Sequence, residues 1–123
     1  MVRKRPLEGR IVPMLFEDMQ FDGADSRAVE WGDEVPPEVR AQTPVVVIGC
    51  GESGILAGIR LQQAGLPFTI LEKNDGPGGT WWENRYPGAR VDSPSRAYAH
   101  ILGVAYHPPH PYCPREENER YFN

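Results

Sequence analysis

The sequence predicts an α/β fold built on one βαβ unit, and three observations carry that prediction. The run VVVIG at 45–49 is β-branched and lacks polar alternation, the pattern of a parallel strand covered on both faces. CGESGILAGIRLQQAGL comes next, with Ile55, Leu56, Ile59 and Leu61 at helical spacing and Gly65 as a stop, which reads as an amphipathic helix. PFTILEK then supplies a second strand. Strand, helix and strand within about thirty residues make one βαβ unit with parallel strands.

The flanking elements are weaker. Residues 1–43 form an N-terminal, partly helical arm. In PMLFEDMQF, Met14, Leu15, Met19 and Phe21 stand near helical spacing, and Pro36 with Pro37 opens a short helical turn running to Ala41. The acidic stretch between them carries Trp31 as a lone apolar anchor, which suits a segment lying across another surface. Residues 44–123 hold the βαβ unit and a less regular remainder. A glycine- and proline-rich loop fills 74–92, where regular helix or strand is not expected. SRAYAHILGVAYH reads as a short strand or a helical turn, HPPHPYCP as an extended proline-rich linker, and REENERYFN has helix-forming composition.

Composition narrows the function classes. The net charge of −4 carries no basic stripe, which argues against nucleic acid as a partner. Cys50 and Cys113 have neither CxxC nor His-paired spacing, so no metal site or disulfide framework is indicated and a cytoplasmic location is the default. MVRKRP opens like a signal peptide, but no apolar core comes after it, and no stretch approaches membrane-spanning length.

Gly49, Gly51 and Gly54 in GCGESG form a GxGxxG fingerprint in its proper context. It leaves a strand and opens a helix, and Glu72 closes the next strand at roughly the twenty-residue distance expected of a ribose-binding carboxylate. Gly49 permits the tight turn, Gly51 lets the backbone approach a pyrophosphate, and Gly54 lets helix and strand pack closely. The anion would sit on the free amides of the helix N-terminus. A carboxylate at Glu72 disfavours a 2′-phosphate, so the dinucleotide is FAD or NAD before NADP. Cys50, inside the motif, serves packing. The Gly78-Gly79-Thr80-Trp81 element adds a second close-approach site and suggests a cofactor that continues toward a large flat ring, which favours FAD.

GCGESG, LEK, GGTWWENRYPGARVD and Tyr98 together resemble the N-terminal FAD-binding segment of Baeyer-Villiger monooxygenases, and the GESG and ENRYPGARVD forms are nearest the 4-hydroxyacetophenone monooxygenase group. The resemblance covers 44 to about 100. It implies the first βαβ unit of a Rossmann-like FAD domain, with Gly49, Gly51, Glu52, Ser53, Gly54, Glu72, Lys73, Gly79, Thr80, Trp81, Asp92 and Tyr98 toward the cofactor. Thr80 and Trp81 would lie along the ribityl chain and flavin. Asp92 would be catalytic, orienting an arginine beside the flavin. The implied reaction is NADPH-dependent oxygen insertion next to a ketone carbonyl.

On the residues alone, an exposed loop Asp92 capping a turn is the favoured reading over one that pairs with an arginine, and Arg85 and Arg90 either position NADPH phosphates or make surface salt bridges. One of Trp81 and Trp82 is expected to be plain core.

No second GxGxxG for NADPH, no FxGxxxHxxxW-type fingerprint and no position for the catalytic arginine occur in these residues. A central strand also needs parallel neighbours on both sides, and one edge of VVVIG would stay bare. The chain is therefore expected to be incomplete alone, its sheet finished by another polypeptide or by a further C-terminal part. Two other functions fit the same motifs: part of an N- or S-hydroxylating flavin monooxygenase, or a non-catalytic dinucleotide-binding partner subunit.

Overall fold

The computed structural model describes residues 9, 11–18, 20, 23, 25, 27–31, 35–99 and 106–123. Met19, Phe21 and the 100–105 part of SRAYAHILGVAYH, on which expectations were placed, lie outside that set. Helix α1 spans Ile11–Asp18 and the short helix α2 spans Pro37–Ala41, with Pro37 at its first position, where a missing amide costs nothing. Strand β1 (Val45–Ile48), helix α3 (Glu52–Gln63) and strand β2 (Phe68–Leu71) come next. The two strands pair in parallel with Val45 opposite Phe68 and Ile48 opposite Leu71, so the α/β class and the βαβ unit are as the sequence predicts.

Side chains alternate along a strand, and among the described residues only one face has a cover. Val45, Val47 and Ile70 are half-buried, whereas Val46 is 61% and Ile48 88% exposed and Leu71 is 54% exposed. The continuous apolar run therefore fits a two-sided burial of which the described residues supply one side. Helix α3 sits close on its face: a Cβ at Gly58 would lie 3.0 Å from Ile70 Cδ1 and 3.1 Å from the Phe68 ring.

Three further short helices are α4 (Thr80–Glu83), α5 (Ser95–Tyr98) and α6 (Arg115–Phe122). α4 corrects the expectation for the 74–92 loop. Between Gly79 and Pro87 the residues carry no helix breaker, and one turn closes with Glu83 N donating to Gly79 O at 3.0 Å.

The proline-rich stretch is corrected as well, because it folds back instead of linking. Arg90 and Pro114 form an antiparallel bridge, Val91 N donates to Cys113 O at 3.1 Å, and Ser95 N donates to Pro111 O at 2.8 Å. These bonds bring Trp81, Val91, Cys113 and Phe122 into one buried cluster, against which Ile55, Tyr98 and Tyr121 pack. Asn118, buried in α6, donates to the carbonyls of Cys113 and Pro114 and closes the end of that cluster.

Candidate functional site

The site starts from the turn after β1. Gly49 has φ +96°, a conformation side-chain-bearing residues rarely adopt, and its amide donates to Leu71 O at 2.7 Å. A Cβ at Gly54 would stand 2.0 Å from Gly49 O, so only glycine lets α3 begin this close to the turn. No side chain caps α3, and the first intrahelical bond is Ile55 N to Gly51 O, which leaves the opening amides of the helix available to an anion.

Glu72, the first residue beyond β2, turns back to this loop. Its carboxylate accepts from Cys50 N at 2.6 Å and from Asn74 N at 2.9 Å. Those amides, Cys50 first, hold the carboxyl below its ordinary range. The Cys50 thiol is pushed up, by burial and then by the Glu72 charge, consistent with a packing role.

The second glycine element arrives through Gly78 N donating to Cys50 O at 2.8 Å. Gly79 has φ +51°, and a Cβ there would meet Gly51 Cα at 3.0 Å, so the two glycine loops touch backbone to backbone. Between them opens a cleft of about 370 Å³ lined by Ile48, Gly49, Gly51, Glu52, Ser53, Gly54, Gly78, Thr80, Trp81 and Tyr98.

Trp81 serves two surfaces. It is 7% exposed and belongs to the apolar cluster, yet it also walls the cleft, with its indole Nε1 donating to Tyr98 Oη at 2.8 Å and the rings edge to face at 5.9 Å. Burial pushes the Tyr98 hydroxyl up to about 12, aided by the Glu52 and Asp92 carboxylates and opposed by the Trp81 bond. Trp82 instead lies half-buried under Arg85, whose guanidinium is 4.8 Å from the ring centroid. Arg85 reaches Glu119 at 3.7 Å, the salt-bridge alternative of the two considered for it. Glu119 also lies 2.6 Å from buried Arg115 Nη2, off the hydrogen-bonding direction, so that pair is Coulombic.

Of the twelve sequence-predicted site residues, Gly49, Gly51, Glu52, Ser53, Gly54, Thr80, Trp81 and Tyr98 line the cleft, and Gly79 touches Gly51 backbone to backbone beside it. Glu72 stands behind the turn, exposed Lys73 pairs with Glu83 at 2.7 Å, and Asp92 is exposed outside the lining. Ile48 lines the cleft without having been singled out; its place as the last strand residue before the fingerprint was the available signal. Among the described residues no group of His, Cys, Asp and Glu could hold a metal, and no helix is long and apolar enough to cross a membrane.

Residues 47–109, spanning this loop and cleft, match the model of the NAD(P)-binding Rossmann-like domain family. The chain belongs to that family. The chain is similar to the Baeyer-Villiger monooxygenase of Streptomyces coelicolor, 39% identical over 111 residues, covering 83% of this chain and 18% of that protein. Among solved structures it is similar to OTEMO in complex with FAD and NADP (TM-score 0.61, 34% identity, covering 67% of this chain and 16% of that one). It is also similar to an oxidized steroid monooxygenase bound to NADP (TM-score 0.58, 32% identity, covering 65% and 16%). The chain thus spans less than a fifth of the length of these flavin-dependent monooxygenases.

Proposed function

We propose that this chain is the FAD-binding portion of an NADPH-dependent Baeyer-Villiger-type monooxygenase of the 4-hydroxyacetophenone monooxygenase type, acting in the cytoplasm on a small ketone. The observation that carries the reading is the backbone contact of Gly79 with Gly51, which joins a phosphate-binding turn to a Trp-bearing second loop around one cleft. An NAD site needs only the first of these.

Each part of the cofactor has residues that fit it. The open amides after Gly51 would receive the pyrophosphate, and the absence of side chains at Gly49, Gly51 and Gly79 leaves the cradle that it needs. Glu72 would accept from the adenosine ribose while Cys50 N and Asn74 N keep it ionised, with Lys73 next to it. Glu52, Ser53, Thr80, Trp81 and Tyr98 would line the ribityl chain and flavin, the Trp81–Tyr98 bond fixing both rings in advance. When bound, FAD supplies the reaction with O2 that inserts one oxygen next to the ketone carbonyl.

Asp92 would orient an arginine contributed from outside residues 1–123, and its exposure in this chain leaves it free to do so. The bare face of Val46, Ile48 and Leu71 supports the same division of labour, with the sheet and the NADPH site completed by further polypeptide. The reading is tested by extracting the native protein and identifying the released nucleotide by chromatography and its visible spectrum. FAD is expected, and recovery of NAD alone would overturn the assignment.

A further inference from the structure

The end of α3 away from the cleft is held by the N-terminal arm. Gly65, at φ +69°, closes the helix in a Schellman pattern, with Leu66 N donating to Leu61 O and Gly65 N to Gln62 O, both at 3.0 Å. That pattern satisfies the carbonyls of Leu61 and Gln62 but does not reach Ala64 O, for which the arm supplies donors. Trp31 Nε1 donates to Ala64 O at 2.8 Å and Arg40 Nη1 at 3.4 Å, while the Arg40 guanidinium stacks 5.3 Å from the Trp31 ring centroid. One turn earlier, Asp25 takes both guanidinium nitrogens of Arg60, with Nη2 at 3.1 Å from Oδ1. The positive groups stand where the helix dipole is negative.

We propose that Asp25, Trp31 and Arg40 form a brace that sets the position of α3 and, through it, the affinity of the cleft for the dinucleotide. This rests on the FAD reading of the cleft. The mechanical link is short. α3 is a 12-residue helix, about 18 Å long at 1.5 Å per residue. Its opposite end is seated on the Gly49 turn with no space for a methyl group. Close seating at Gly54 and Gly58 makes α3 move as a rigid body on the sheet, so a tilt released at Ala64 reappears at the amides of 51–54. Asp25, Trp31 and Arg40 are thus positioning residues that touch no part of the cleft.

The test uses the full-length protein, with FAD affinity read from flavin fluorescence on titration of the apoprotein and amide exchange read at 51–54 and 63–66. Trp31→Phe keeps the ring under Arg40 and removes the donor, and Asp25→Arg opposes Arg60. Each is expected to raise the FAD Kd on the order of fivefold and to speed exchange at both ends of α3. The charge-swapped pair Asp25→Arg/Arg60→Asp is expected to return both readouts to within about twofold of wild type. Faster exchange confined to 63–66 with an unchanged Kd in both single variants would overturn the brace. If the wild-type protein binds no FAD, the flavin reading falls and exchange decides the brace alone: faster exchange at 51–54 that the swap restores supports it, and unchanged exchange there refutes it.

Discussion

Gly54 and Gly51 belong to one fingerprint, but the structure gives them separable costs. A methyl group at Gly54 would sit 2.0 Å from Gly49 O and 3.0 Å from Gly49 C, both backbone atoms that cannot swing aside. Real Cβ contacts stay beyond 3.0 Å, so α3 must back off the turn by about 1 Å. Overpacking a well-packed contact costs about 1–3 kcal/mol, and a rigid backbone neighbour places Gly54→Ala at the top of that range, about 3 kcal/mol. At Gly51 the same methyl would meet only Gly79 Cα at 3.6 Å, an ordinary contact, on a backbone with φ −83° that any residue adopts. Gly51→Ala should therefore change stability by no more than about 0.5 kcal/mol. It should still lose FAD, because the methyl enters the space the pyrophosphate needs. Urea unfolding of the apoproteins, followed by tryptophan fluorescence, measures the first quantity, and FAD titration the second. Equal destabilisation by both substitutions, or full FAD retention by Gly51→Ala, would show that the two glycines do not divide packing and phosphate binding between them.

Three other outcomes are expected. Asp92→Ala should leave FAD bound and slow oxygen insertion by a factor on the order of 10², the usual loss of one positioned electrostatic partner; NADPH consumption and ester formation measured together would remain coupled if the role is wrong. Tyr98→Phe removes the acceptor of buried Trp81 Nε1 and should destabilise by about 1–3 kcal/mol, visible in thermal unfolding. Because the Tyr98 hydroxyl is raised to about 12 from 10.0, its contribution is present below pH 10 and lost as pH rises toward 12, a loss that Tyr98→Phe should abolish. Glu72 is held below its ordinary 4.5, so its contribution is present above that pH and lost as pH falls through its folded value; Glu72→Gln should flatten the acid limb of a stability–pH curve, and an unchanged limb would show that the Cys50 and Asn74 bonds do not stabilise the fold.

The βαβ unit and the phosphate turn were legible in the order of residues. Both depend on neighbours along the chain: the β-branched run sets a strand, the spacing of Ile55, Leu56, Ile59 and Leu61 sets a helix face, and Gly49 and Gly54 are required by a backbone that closes within a few residues. The Pro36–Pro37 helix start and the α6 composition were legible for the same reason. The one-turn helix α4 was hidden because four residues give too short a pattern to stand out between glycines and prolines. Long-range packing, by contrast, shares Trp81 between the core and the cleft, folds the stretch around Cys113 back onto Val91, and brings Trp31 to cap the far end of α3. Those outcomes pair residues 17 to 33 positions apart through hydrogen bonds. No local periodicity encodes such pairings, since each exists only once the intervening chain has already folded.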